Sequence, residues 1–241
     1  MKANLHTHGE FCDGKIPMRI MASLAADAGY QLLGFSAHAP LPFATEWTMD
    51  LDRVDEYLAV VRDLAARFEP RMQILAGMEI DFIDGMCGPA DGRFSGLDYA
   101  IGSVHHVAPK ALGEHALSTV DGRQENFDAL IARGYNGDGL ALAEDYFSAV
   151  ASCIRAGGFD ILGHLDLLRK NNPGQSRFRE DHPRYRDAVM LALDCLQGEG
   201  IIVEINTGGM ARGRTDSPYP QLWILKELKA RGVPVCVNAD A

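Results

Sequence analysis

The sequence predicts an α/β fold in which a parallel sheet or barrel is wrapped on its outside by helices. Two observations carry this reading. Short apolar runs of four to six residues alternate with longer amphipathic stretches along the whole chain, and Gly or Pro punctuates the ends of the amphipathic stretches. At 241 residues, 47% apolar and 23% charged, the chain can bury a sizeable core, which excludes disorder, a coiled coil and a collagen-like structure. No linker, charge block or repeat divides it, so residues 1–241 are expected to form a single domain.

The first strand is expected at Ala3 to Leu5. Pro17 suits a first helical position, so a helix follows from Met18 to Ala28 and stops at Gly29. A strand at Leu32 to Ser36 precedes a helix from Leu51 to Phe68, which must end before Pro70. After the strand Ile74 to Met78, the stretch Asp81 to Asp98 is too rich in glycine for a crossover helix and predicts a short irregular connection. Then come strand Tyr99 to Val104, helix Leu140 to Ala156 closed by Gly157-Gly158, strand Asp160 to Leu162, and helix Arg184 to Leu196 closed by Gly198. Strand Ile201 to Ile205, helix Gln221 to Arg231 ahead of Gly232, and strand Pro234 to Val237 complete seven strands.

The 33 acidic against 23 basic residues give a formal charge of −10, a field that repels nucleic acid and anionic membranes in the absence of a basic stripe. Neither is expected as a partner. The five cysteines are scattered without a C-x-x-C pair, which points to reduced thiols in the cytoplasm. The N-terminus lacks an apolar signal core and no long apolar run occurs, so a soluble, untargeted protein is expected.

The chemistry collects at strand ends. His6 and His8 follow the first strand, His38 the second and Glu79 the third; His105 and His164 end the fourth and fifth, and Asp240 follows the seventh. In a parallel barrel these ends open on one face, so the residues converge. A lone histidine there is usually structural; six strand ends of seven carrying the same chemistry are not coincidence. Five histidines with two carboxylates exceed what one tetrahedral ion needs, so at least two divalent ions are implied, with Glu79 free to bridge them. In His6-Thr7-His8 the alternation of an extended segment aims both imidazoles the same way. The same alternation separates His105 from His106, which is expected either to pack or to support a ligand from behind. Asp166 and Asp81 are expected to orient imidazoles, and His115 and His182 to lie on the surface.

H-T-H-G-E-F-C-D-G, G-F-S-A-H-A-P-L-P-F, G-M-E-I-D-F, G-S-V-H, G-H-L-D-L and E-I-N-T-G, in this order from Leu5 to Asp240, resemble the polymerase and histidinol phosphatase (PHP) family, in particular its monofunctional histidinol-phosphatase branch. The resemblance implies a distorted (β/α)7 barrel with a trinuclear metal site at the C-terminal ends of the strands. It further implies that His6, His8, Glu79 and Asp240 hold one ion, that Glu79 bridges to a second held by His105 and His164, and that Asp13 and His38 hold a third. The family closes this third site with a histidine two positions beyond the aspartate matched to Asp240. The sequence ends at Ala241, so that histidine and a terminal helix are expected past it, and the chain is expected to be a barrel cut at its last rim position.

Two to three divalent ions, whether zinc, iron or manganese, suit phosphate monoester hydrolysis because they activate a water and neutralise the transferring phosphoryl group. Glu79 and Asp240 are the candidate catalytic groups, and either Asp240 or an ion-bound water is expected to donate the proton to the leaving alkoxide. Positive charge for the phosphate is offered by Arg169 and Lys170 and by Arg212 and Arg214, with Arg169 and Arg212 favoured by the resemblance. Phe43 and Trp47 offer an apolar wall for an imidazole ring. The resemblance implies hydrolysis of L-histidinol phosphate, a small-molecule substrate, in histidine biosynthesis. A phosphoesterase acting on another small phosphate or on nucleic-acid ends, and a metal-binding regulatory protein without turnover, are the competing readings.

Overall fold

The computed structural model describes residues 1–113 and 116–241; His115 lies outside the described residues. Among the described residues, nine strands and seven helices follow one another as β1 (Ala3–Asn4), α1 (Met18–Asp27), β2 (Leu32–Phe35), α2 (Val54–Phe68), β3 (Gln73–Asp81), β4 (Tyr99–Ser103), β5 (His106–Val107), β6 (Ser118–Thr119), α3 (Gln124–Gly134), α4 (Gly139–Ala156), β7 (Ile161–Leu162), α5 (Pro183–Asp194), β8 (Ile202–Asn206), α6 (Gly208–Ala211), α7 (Leu222–Ala230) and β9 (Val235–Asn238). Seven strands form one parallel sheet in the order β1-β2-β3-β4-β7-β8-β9.

The sheet curls until its edge strands meet. β1 and β9 are joined chiefly by two asparagines: the Leu5 amide donates to Asn238 Oδ1 at 2.7 Å and the Ala239 amide to Asn4 Oδ1 at 2.7 Å. Just beyond the strands the His8 amide donates to the Ala241 carbonyl at 2.7 Å. The two edges thereby satisfy each other, leaving a nearly closed barrel.

Side-chain alternation sorts the strand residues into two environments. On β3, Ile74, Ala76, Met78 and Ile80 face outward into the core under α1 and α2, while Leu75 faces a small cluster built on Tyr99, Ile101 and Ile161 with Leu5, Ile202 and Cys236. Residues from that many strands can meet only inside the barrel. Tyr99 crosses it: its hydroxyl donates to the Leu5 carbonyl at 2.6 Å, and its ring lies where a Cβ on Gly34 or Gly77 would stand, 2.2 Å from each. This plugged floor leaves the upper, C-terminal half of the interior for polar residues. A larger core lies outside, between the sheet and α3, α4, α5 and α7.

All seven sheet strands and five long helices stand where expected, to within a few residues, and the Asp81 to Asp98 connection contains only a single 3-10 turn at Pro89–Asp91. The β5–β6 hairpin and α3 are additional; α3 buries Phe127, Leu130, Ile131 and Gly134, an i, i+3, i+4, i+7 stripe. His182 caps α5, its ring accepting from the Arg184 amide at 3.2 Å. Among the described residues no helix is long and apolar enough to cross a membrane.

Gly77→Ala places a methyl group inside the Tyr99 ring and should lower stability by about 1–3 kcal/mol, the usual cost of overpacking a full interior. Urea unfolding is expected to show a lower midpoint at unchanged slope; an unchanged midpoint would mean that Tyr99 does not plug the barrel.

Candidate metal centre

The inward positions that fill the floor of the barrel continue upward into the site. On β2 and its extension they run Gly34, Ser36, His38; on β3 Leu75, Gly77, Glu79, Asp81; on β4 Tyr99, Ile101, Ser103, His105; on β8 Ile202, Glu204, Asn206; and on β9 Cys236, Asn238, Asp240. Each strand thus turns from apolar or small residues to histidine, carboxylate and amide within two to three steps.

Glu79, 1% exposed, is the centre. Its Oε1 accepts from Ser103 Oγ at 2.7 Å and faces His164 Nε2 at 3.0 Å and His105 Nε2 at 3.5 Å. The other oxygen, Oε2, faces His38 Nδ1 at 2.9 Å, His6 Nε2 at 3.2 Å and His8 Nε2 at 3.5 Å. Asp240 enters from the opposite rim, with Oδ1 at 3.5 Å from His8 Nε2 and 4.0 Å from His6 Nε2. Asp13 is exposed and stands at 3.9 Å from His8 Nδ1 and 3.8 Å from His38 Nε2. The structure therefore brings together all eight residues expected to hold metal, with Asp13 at the outer edge.

The far sides of the imidazoles are held in turn. His6 Nδ1 lies 2.7 Å from Glu204 Oε1, whose second oxygen accepts from the His164 amide at 2.9 Å. His105 Nδ1 lies 2.6 Å from Asp81 Oδ1, and His106 Nδ1 is 3.1 Å from Oδ2 of the same carboxylate. His8 Nδ1 meets the Cys12 sulfur at 3.4 Å. Carboxylates placed there fix ring orientation and leave the opposite nitrogen available for a cation.

Buried polar atoms test whether a metal fits. His6 Nε2, His38 Nδ1 and Glu79 Oε2 converge within the site yet make no hydrogen bond, an arrangement of lone-pair donors that a cation satisfies. Groups of three ligand atoms within 4.8 Å of one another recur around it: His6, Glu79 and His164; His6, His8 and Asp240; His8, His38 and Glu79.

The field is strongly anionic. Burial disfavours charge on the rings, but Glu204, Glu79 and Asp240 outweigh it at His6 and hold its pKa well above the ordinary value. Burial is likewise overcome at His8, mainly by Asp240 and Cys12, and at His105, mainly by Asp81 and Glu79; both are pushed up to about 10. Burial would raise Glu79 and Asp240, yet the imidazoles facing them hold both carboxyls well below the usual range. Asp240 is thus kept ionised, which suits a metal ligand.

A cavity of about 520 Å³ opens beside the cluster, lined among others by Asp121, Lys170, Arg212 and Arg214. Arg212 lies on it as expected, donating from Nη1 to the Asp240 carbonyl at 2.7 Å and pairing with its carboxylate at 3.1 Å. Arg169 does not line this cavity. Its guanidinium is buried and committed to Glu180 at 3.2 Å, Asp166 at 3.4 Å, the Pro218 carbonyl and the Ser217 hydroxyl, because two internal carboxylates offer it a better partner than a solvated phosphate site. Asp166 consequently touches no imidazole; it accepts from the Gln221 amide at 3.0 Å and serves the Arg169 network. Phe43 and Trp47 are also absent from the cavity lining. They pack on the chain's own imidazoles, Trp47 at 4.8 Å from the His38 ring and Phe43 at 5.9 Å from His106, so they buttress the site from behind. His106 fills both of the roles offered for it, packing against Phe43 and Trp47 and sharing Asp81 with His105.

Sequence reasoning missed Glu204 and Asp121. Glu204 carried a signal, a carboxylate at an inward position of an otherwise apolar strand; Asp121 lies in an irregular segment with none.

The description "PHP domain" matches residues 4–208 as a family model. A protein named "Probable histidinol-phosphatase" from Deinococcus radiodurans is 29% identical over 242 residues, covering 98% of this chain and 84% of its own. Among solved structures, the hisK chain of Listeria monocytogenes superposes with a TM-score of 0.84 at 20% identity, covering 99% of this chain and 94% of that one. The histidinol phosphate phosphatase of Lactococcus lactis, solved with zinc, L-histidinol and phosphate, gives a TM-score of 0.69 at 20% identity, covering 99% and 85%. These likenesses establish a common fold.

Protons and divalent cations compete for the same ring nitrogens. With His8 and His105 raised to about 10, zinc affinity should keep strengthening as pH rises from 6 toward 10, where ordinary imidazoles would level off near about 6.5. Competition titrations with a chromophoric chelator measure this; a plateau by pH 7 would contradict the field described here.

Proposed function

This chain belongs to the PHP domain family, and on that premise we propose that it is a metal-dependent phosphomonoesterase converting L-histidinol phosphate and water to L-histidinol and phosphate. The observation that carries the reading is Glu79, a buried carboxylate with two oxygens that face two different sets of histidines. Such a group is suited to bridge two divalent ions. His6, His8 and Asp240 would share one with Glu79, His105 and His164 the second, while Asp13 and His38 would hold a third. When bound, clustered zinc, iron or manganese would lower the pKa of a coordinated water and neutralise charge on the phosphoryl group.

The chain's own groups do the rest. Glu204 and Asp81 hold His6 and His105 in orientation. Asp240, kept ionised, would hold a cation; Arg212 fixes Asp240 from outside and, with Arg214 and Lys170 on the cavity wall, receives phosphate oxygens. The cavity volume of about 520 Å³ suits a substrate the size of an amino-alcohol phosphate. The names of the relatives support histidinol phosphate as that substrate, and with it a place in histidine biosynthesis. Five free cysteines support a reducing, cytoplasmic location.

Phosphate release from L-histidinol phosphate, glycerol phosphate, p-nitrophenyl phosphate and a 5′-phosphorylated oligonucleotide tests the reading. At least about a tenfold preference in kcat/KM for histidinol phosphate is expected, the discrimination that one extra polar contact supplies. Equal rates on all four would overturn the substrate assignment. Glu79→Ala should lose both bound metal and turnover, and a fully active variant would contradict the bridging role.

A further inference from the structure

One carboxylate on the cavity wall has no part in the hydrolysis proposed above. Asp121 lines the cavity, belongs to none of the residue groups able to hold a metal, and pairs with Lys170 Nζ at 3.4 Å. Its placement is built from both sides. The Val120 amide donates to the His105 carbonyl at 2.9 Å, so the segment is tied to the strand end that carries a cluster histidine. The buried Asn171, next to Lys170, donates from Nδ2 to the Val120 carbonyl at 3.0 Å and to the Gly122 carbonyl at 3.1 Å, clamping the backbone on either side of Asp121. A solvated surface carboxylate needs no such clamp.

Among the described residues, the other charged side chains on this wall away from the cluster are cationic: Lys15, Lys170, Arg212 and Arg214. Cations and metal ions recognise the phosphate of any monoester and leave the alcohol portion unread. A fixed anion in the same cavity reads a cation on that portion. Resting on the reading of the site as a phosphomonoesterase, we propose that Asp121 is a specificity-determining residue that receives the ammonium group of the substrate, so that the cavity selects phosphate esters of amino alcohols. Lys170 is the exchange partner: it neutralises Asp121 in the substrate-free cavity, and the substrate ammonium takes its place, freeing Nζ to turn toward the phosphate. Each half-buried charge then keeps a partner at every stage.

The test compares the zinc-loaded wild-type chain with Asp121→Asn on L-histidinol phosphate and on its deamino analogue, 3-(imidazol-4-yl)propyl phosphate, with zinc content measured alongside. The wild type is expected to favour the amine-bearing ester. The variant should raise KM for that ester by about 10- to 100-fold, the value of a charge-assisted contact, with kcat little changed, while kcat/KM for the deamino ester and the zinc content stay at the wild-type level. Binding of L-histidinol itself, followed by calorimetry, should weaken by the same factor. An equal loss on both esters, or a loss of zinc, would overturn the proposal by showing that Asp121 serves the cluster. An unchanged preference for the amine-bearing ester in the variant would overturn it while leaving histidinol phosphate as the substrate. A wild type indifferent to the amine would overturn the role of Asp121, whereas failure of the substrate reading itself shows as equal rates on the four substrates compared above.

Discussion

Burying the charge of Glu79 away from water costs several kcal/mol unless compensating positive charge is built around it. The carboxylate is 1% exposed and ringed by His6, His8, His38, His105 and His164, contributed by four different strand ends. Neither the carboxylate nor the imidazoles make sense alone. Together they form a set of lone-pair donors and negative charge that only protons or metal ions can balance, and the rest of the upper barrel exists to hold that set in place.

Below it, Tyr99 fills the barrel where Gly34 and Gly77 leave room, so the polar layer rests on a packed apolar floor and not on an open channel. Around it, Glu204 ties three strands together: it meets His6 from β1, the His164 amide after β7 and, through Oε1, the Nδ2 of Asn238 on β9 at 2.9 Å. The same carboxylate therefore orients a metal-facing ring and helps close the barrel seam. Removing cations from such a site would leave its charges to protons, so metal binding, protonation and the integrity of the seam are one coupled equilibrium.

Much of this was legible in the sequence because two periodicities coincide. Strand alternation and the α/β rhythm place His6, His38, Glu79, His105 and His164 at strand ends without any knowledge of contacts, and the parallel arrangement then requires them to meet. What alternation cannot reveal is which charges pair. Arg169 has the chemistry of a phosphate ligand, yet Asp166, three residues before it, and Glu180, eleven residues after it, fold back onto its guanidinium and hold it buried. Phe43 and Trp47 likewise read as a wall for the substrate and stand against the protein's own histidines. Asp121 was invisible because its position depends on Asn171 clamping an irregular segment, a contact fifty residues distant with no local signature. Helix α3 was legible too: its apolar stripe is regular and it ends on Gly134, with Gly137 close behind.

The central claim is that the two oxygens of Glu79 serve two separate cations. Crystals of the zinc-loaded chain, with anomalous diffraction recorded on both sides of the zinc absorption edge, test it most directly. The account predicts at least two anomalous peaks flanking Glu79, one contacting Oε1 on the His105 and His164 side, the other contacting Oε2 on the side of His6 and His8. A single ion, or ions that leave Glu79 uncoordinated, would contradict it.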